Sequence, residues 1–328
     1  MKTAIFDTNF WSYLASSGRE KDFRALEKRI DLQVLLPPSI LLEAFKTADP
    51  ELRVNILHAM KSVNRKKMRT EADLETEELI FEIRRLRPEI RRSFGNTKTV
   101  EKLRKFWTSE IWHKCIDKHE VFHKESIIHN PEVAKQIEAQ RYNKARGNGW
   151  NENKVKLSEL TARFDKNATG INDFIDLEQE YELWRMGNSF YYQKVLSRED
   201  LPRYRNERTI VDWCEPFINI KAFITDKKSF FSFWLYECMA SKMPRNWLRW
   251  AMDFLQPIRK IGLGNAYDCA HSSYLVDADF FFTSDKRYYD CLQIIYDEDF
   301  ISIAKPVLLS TNADLFIDEI TNSVYQGF

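Results

Sequence analysis

The chain has 328 residues, of which 44% are hydrophobic and 30% charged, and its net charge is +1. That length calls for two domains, or for one domain with a large insertion. The near-zero charge excludes a global basic field for nucleic acid, so any basic surface is local, and the lack of an apolar run of about 18 residues excludes a membrane-spanning helix.

Elements follow in chain order. Met1-Lys2 leads straight into an apolar run, too early for a secretory signal. Ala4-Ile5-Phe6 predicts a short buried strand ending at Asp7, with Thr8 and Asn9 as turn or N-cap residues before a helix in "FWSYLASS". A charged amphipathic helix is expected over 20–30. "LQVLLPP" predicts a second strand stopped by Pro37-Pro38, and Ser39 a cap for the helix "SILLEAFK", which carries Glu43. From about Pro50 to Leu255 the spacing is helical and the composition charged, with breaks at "RRSFGNTK" and "RGNGWNEN". Glycine is scarce, at 9 residues, which suits long helices. Beyond 250, "NWLRWAMDFLQPIRK" predicts a helix interrupted at Pro257, and "NAYDCAHSSYLVD" a helix after Gly264. "FFFT" predicts a buried strand running into Asp285. "ISIAKPVLL" predicts a last strand, followed by a helix from Asn312. Strand and helix alternate at both ends, around a helical block. The expectation is an α/β core built from 1–60 and 250–328, with an all-α insertion over 61–249.

Asp7 and Asp285 fall just past predicted strands, and Glu43 and Asp268 near the starts of helices. In an open parallel sheet, active groups gather at the carboxyl ends of strands. Four carboxylates at one rim repel each other, and a divalent cation removes that conflict. Hard oxygen ligands suit Mg²⁺ or Mn²⁺, which activate water and stabilise the leaving oxygen of a phosphodiester. Each residue also has a plainer use: Asp7, Asp268 and Asp285 can cap helices, and Glu43 can be an ordinary surface residue. Asn9 and Thr283 are expected as supporting groups that hydrogen-bond the ligand carboxylates, or else as local turn residues.

The segments "IFDTNFW", "PSILLEAF" and "AYDCAHSSYLVDADFFFTSDKRY" resemble the PIN-domain nucleases. In that family an Asp ends the first strand in a DTN or DTS element, and a Glu follows on the helix after the second strand. A third Asp opens a helix, and a fourth lies in a T-x-D element. These match Asp7, Glu43, Asp268 and Asp285. The resemblance covers roughly 1–60 and 250–328, and departs from compact members in the long stretch between Glu43 and Asp268. It implies a three-layer core around a mainly parallel sheet, with those four acids as metal ligands and catalytic residues. It also implies a Mg²⁺- or Mn²⁺-dependent endonuclease, with RNA a better expected substrate than DNA. An antitoxin or regulatory protein is a further partner class of the family, and an oligomer is compatible with it. The alternative from another class is a PIN-like fold that binds nucleic acid or protein without catalysis.

"KSVNRKKMR" and "RRLRPEIRR" concentrate positive charge, and Arg65, Lys66, Lys67, Arg91 and Arg92 are the candidate phosphate contacts. Trp107, Trp112, Tyr142 and Trp150 follow and offer stacking surfaces. The plain alternatives are a solvated helix face and core aromatics. His119-Glu120-Val121-Phe122-His123 is a literal H-E-x-x-H, the helical zinc motif of metalloproteases. Its flanks, Asp117, Lys118, Lys124 and Glu125, are charged, and no third ligand is placed as such a site requires. It reads as a non-catalytic surface histidine pair or a pair gripping RNA phosphate, ahead of a zinc protease as the third reading. The five cysteines are scattered without C-x-x-C and read as reduced thiols of a cytoplasmic protein.

Overall fold

The structure is a computed structural model that describes residues 1–61, 64–93, 95–128, 138, 141, 156–160, 181–203, 208–258, 264–312 and 314–326. The expected loop "RGNGWNEN", the expected helix "EVAKQIEAQRYNKA", and Tyr142 and Trp150 lie outside these residues or touch them only at isolated positions.

The first elements are β1 (Lys2–Phe6), α1 (Thr8–Ser17), α2 (Glu20–Arg29), β2 (Leu32–Leu36), α3 (Pro38–Phe45), α4 (Pro50–Met60) and β3 (Lys66–Lys67). Helices α5 (Glu71–Leu86), α6 (Lys98–Lys105), α7 (Ile111–Lys114) and α8 (His119–Ile128) follow. After them come α9 (Glu182–Leu196), α10 (Thr209–Cys214), α11 (Ile220–Thr225), α12 (Lys227–Ser232) and α13 (Pro244–Leu255). The chain closes with α14 (Asn265–Ser272), β4 (Phe280–Thr283), α15 (Lys286–Asp297), β5 (Lys305–Leu308) and α16 (Phe316–Gln326). No helix among the described residues is long and apolar enough to cross a membrane, and the five cysteines are buried and unbridged.

The fold is α/β, and all the described strands run parallel in the order β3-β2-β1-β4-β5. Strands of a parallel sheet are buried on both faces and so read as continuous apolar runs. Ala4, Ile5 and Phe6 are fully buried, as are Phe281 and Phe282. The central pairing joins the two ends of the chain: Phe6 lies opposite Phe282, and their rings stack with centroids 4.8 Å apart. Phe10, Trp11 and Phe23 complete the aromatic packing around Phe6. Both edge strands are short, which limits unwanted pairing. One edge, β5, carries Pro306, a residue tolerated at a sheet edge because it cannot donate to a ladder.

Several elements differ from expectation. Pro38, not Ser39, opens α3 at a position where a missing N–H costs nothing, so Ser39 lies inside the helix, buried, with its hydroxyl unbonded. The last strand is shorter than "ISIAKPVLL", and the last helix starts at Phe316, past Asn312. Lys66 and Lys67 form the strand β3, parallel to Leu35 and Leu36.

The division of the chain is also finer than expected. One compact unit comprises Met1–Glu71, Leu103–Asn148 and Met252–Phe328, and it holds the whole sheet. The other comprises Ala72–Lys102 and Gly149–Ala251, and its described elements are helical, with one isolated bridge between Arg91 and Ile218. The boundary at 61 is therefore corrected: β3, α7 and α8 belong with the sheet. Packing is the reason. Phe122 of α8 meets the ring of Phe45 at the end of α3, and His123 Nδ1 lies 2.7 Å from the Phe45 carbonyl.

Candidate metal centre at the carboxyl edge of the sheet

Strand order reverses between β1 and β4, because β2 lies on one side of β1 and β4 on the other. Such a switch point opens a crevice outside the carboxyl ends of the strands. Asp7 follows β1, and Thr283 closes β4 beside it. The Thr283 hydroxyl donates to Asp7 Oδ2 at 2.8 Å and accepts from the Asp285 backbone N–H at 3.0 Å. Asp7 Oδ1 accepts from the Thr8 N–H at 2.7 Å, which makes Asp7 the N-cap of α1. Asn9 Nδ2 donates to Asp7 Oδ2 at 3.4 Å. One oxygen of the carboxylate thus caps α1, and the other takes the Thr283 and Asn9 side chains.

Glu43 reaches the same place from α3, where the Thr8 hydroxyl donates to its Oε2 at 2.6 Å. Asp268 lies in the first turn of α14, and Gln256 Nε2 donates to its Oδ2 at 3.0 Å. Asp285 caps α15, accepting from the Arg287 and Tyr288 N–H groups, and is exposed at the rim. All four sequence-predicted acids lie near this edge, and Asn9 and Thr283 both touch Asp7.

Burial, reinforced by like charge, governs their titration. Burial raises Asp7 to about 6, with Asp285 adding to the rise while Thr283, Thr8 and Asn9 oppose it. Burial raises Glu43 to about 7, with Asp7 and Asp285 adding to the effect and Lys46 opposing it. Burial holds Asp268 well above the usual carboxylate range, and the charges of Asp7, Glu43 and Asp285 push it further. Among the described residues, no lysine or arginine lies within ion-pair distance of any of the four.

His271 was not among the candidates. It sits on α14 three residues after Asp268, a spacing that puts both side chains on one helix face. The residue is fully buried, its Nε2 lies 3.8 Å from Glu43 Oε2, and neither ring nitrogen makes a hydrogen bond. Burial lowers its basicity to about 3, slightly opposed by the Ser39 backbone, which faces the ring without reaching full hydrogen-bond geometry. The ring is therefore neutral at neutral pH. Asp7, Glu43 and His271 offer donor atoms within 4.8 Å of one another. Ligands held at about 2.1 Å from one octahedral ion stand roughly 3–4 Å apart. The residues fit a divalent cation, since a buried and a half-buried carboxylate without a basic partner at ion-pair distance stand beside a buried imidazole with no hydrogen bond of its own.

The other candidates divide. Arg65 is corrected as a phosphate contact: it is buried, its Nε lies 2.8 Å from Glu27 Oε1, it donates to the Ala59 carbonyl, and its guanidinium stacks on Trp11 and Phe23. The Lys67 ammonium is half-buried and donates to the Arg65 carbonyl at 2.8 Å. Lys66 is exposed on the sheet-bearing unit. Arg91 is exposed and Arg92 half-buried on the helical unit. In the H-E-x-x-H segment, His119 Nδ1 accepts from Arg53 Nε at 3.3 Å, and Glu120 pairs with the buried Arg53 guanidinium. That motif fastens α8 to α4.

Comparison with known proteins found no matching protein-family model, no matching curated protein and no matching solved structure.

Proposed function

We propose that this chain is a metal-dependent endonuclease of the PIN type that hydrolyses RNA phosphodiester bonds. The observation that carries the reading is the meeting of Asp7 and Glu43 at the switch point of a parallel sheet, with Asp268 close enough to be raised by both and Asp285 close enough to raise all three. The order of these acids along the chain, and RNA as the substrate class, come from the resemblance to the PIN nucleases.

A bound Mg²⁺ or Mn²⁺ would supply Lewis-acid polarisation of the phosphodiester and an acidified water. Asp7, Glu43, Asp268 and Asp285 would hold it. Thr283 fixes Asp7 Oδ2, and Thr8 fixes Glu43 Oε2, so both carboxylates are oriented before substrate arrives. Lys46, placed 4.4 Å above the Tyr267 ring and acting on Glu43, is a cation for a substrate phosphate. Lys66, Arg91 and Arg92 add sequence-independent contacts to the RNA backbone.

The test is cleavage of single-stranded RNA with Mn²⁺ by Asp7→Asn and Asp268→Asn. Each is expected to lose activity on the order of 10²–10³-fold, the usual consequence of removing one preorganised electrostatic group, with circular dichroism unchanged. Undiminished cleavage in both would overturn the reading. Metal and RNA binding without cleavage by the native chain would favour a non-catalytic binding module.

A further inference from the structure

A neutral imidazole has one N–H donor and one lone pair, and leaving either buried without a partner is destabilising. His271 is fully buried with both nitrogens unbonded. Its Nε2 points to Glu43 Oε2 at 3.8 Å, and Asp7 offers a donor atom within 4.8 Å of both. The Ser39 backbone is the other group the ring faces. A histidine that ligates a metal through one nitrogen almost always directs the other to a carboxylate or backbone carbonyl. The ring is placed for both tasks.

We propose that His271 is itself a metal ligand, and that its nitrogen makes this a site for a transition-series divalent cation of the Mn²⁺ class in preference to Mg²⁺. This rests on the metal-dependent reading above and adds a ligand that the four-acid pattern does not contain. The chemical reason is donor softness. Mg²⁺ keeps to oxygen donors, whereas imidazole nitrogen suits the first-row transition ions and carboxylate oxygen suits Mn²⁺ as well. A mixed set of carboxylates and one imidazole therefore separates ions that an all-carboxylate rim holds about equally. The sequence holds the signal in Asp268-Cys269-Ala270-His271, two metal-binding side chains one helical turn apart.

The experiment uses the full chain and Mn²⁺ alone, without RNA. Pulsed electron paramagnetic resonance of the Mn²⁺ complex is expected to show modulation from one directly bound nitrogen, which changes when the histidines carry ¹⁵N. His271→Gln is expected to abolish the modulation. In calorimetry it should lower Mn²⁺ affinity about 10–100-fold while leaving Mg²⁺ affinity nearly unchanged. If that variant does not fold, the labelled chain with His58, His113, His119, His123 and His129 changed to Asn gives the same answer, because the modulation must persist there. Mn²⁺ binding without nitrogen modulation, or modulation retained in His271→Gln, overturns the assignment and leaves the nuclease reading intact. Nitrogen modulation without RNA cleavage supports the assignment and overturns the nuclease reading. Failure to bind Mn²⁺ overturns both.

Discussion

In the helical unit the carboxylates of Glu75, Glu78 and Glu82 each meet an arginine, with Arg249 Nε at 2.8 Å, Arg245 Nε at 3.5 Å and Arg85 Nη2 at 2.7 Å. At the carboxyl edge of the sheet, Asp7, Glu43 and Asp268 lie together with no such partner among the described residues. In the first group, Glu75 and Glu78 tie α5 to α13 and Glu82 pairs within α5, although burial still raises Glu78 to about 8. The second is raised by burial first and by its own like charge second, with no counter-charge at ion-pair distance among the described residues. An acid cluster that the chain leaves uncompensated is one that an outside cation can complete.

Five substitutions test that contrast. The largest stability effect belongs to the helical unit: Arg249→Leu breaks the ion pair with Glu75, whose side chain is 3% exposed. A loss of about 3–5 kcal/mol in urea unfolding is expected, the cost of breaking a buried ion pair from one side. A loss below 1 kcal/mol, by that same standard, would erase the distinction.

Asp7→Asn should act in the opposite direction. Asn caps a helix as well as Asp does, and the change removes a buried like charge. In metal-free protein at pH 7 it is expected to stabilise by on the order of 2–3 kcal/mol, the free energy of its raised pKa. The native chain carries the same effect in its pH profile. Asp7 rises from 3.8 to about 6 and Glu43 from 4.5 to about 7 on folding, so the folded state binds more protons across that window. These groups favour folding most below their unfolded pKa values, and that contribution is lost as pH climbs through about 6 and 7. Thermal melts without metal should fall over this range, and saturating Mn²⁺ should flatten the fall. A profile that rises there would contradict the picture of an uncompensated cluster.

A smaller effect is expected on α8. His119→Ala and His123→Ala each remove one hydrogen bond, for about 1 kcal/mol of stability. Metal content and RNA cleavage should be unchanged, and stoichiometric zinc in the native chain would reverse this. The smallest change is Lys66→Ala, which should weaken RNA binding a few-fold at low salt and reduce the salt slope by about 1. No change in the slope would remove Lys66 from the interface.

Much of the sheet was legible in the sequence, because strands buried on both faces must be unbroken apolar runs, as in Val34-Leu35-Leu36 and Phe280-Phe281-Phe282. Asp7 and Asp285 were legible for the same reason, since each follows the end of such a run. His271 was not, because a single histidine in an apolar helix looks like core until its neighbours in space are known. Its spacing from Asp268 was the available signal. Arg65 misled in the opposite way: charge in a basic string suggests exposure, yet Glu27 and two aromatic rings draw its guanidinium inside. A two-residue strand such as β3 has too few residues to show a period of two.

Pairing of β1 with β4 has a consequence for the chain as it is made. Asp7 and Thr283 are separated by 276 residues, and their hydrogen bond closes that interval. At the usual pace of synthesis β1 waits about 15–55 s for its partner strand to emerge. Until then the amino-terminal residues carry Asp7 and Glu43 without Asp268, His271 or Asp285, so the cluster has only part of its donor set. The full donor set can therefore assemble only once β4 has left the ribosome and paired with β1.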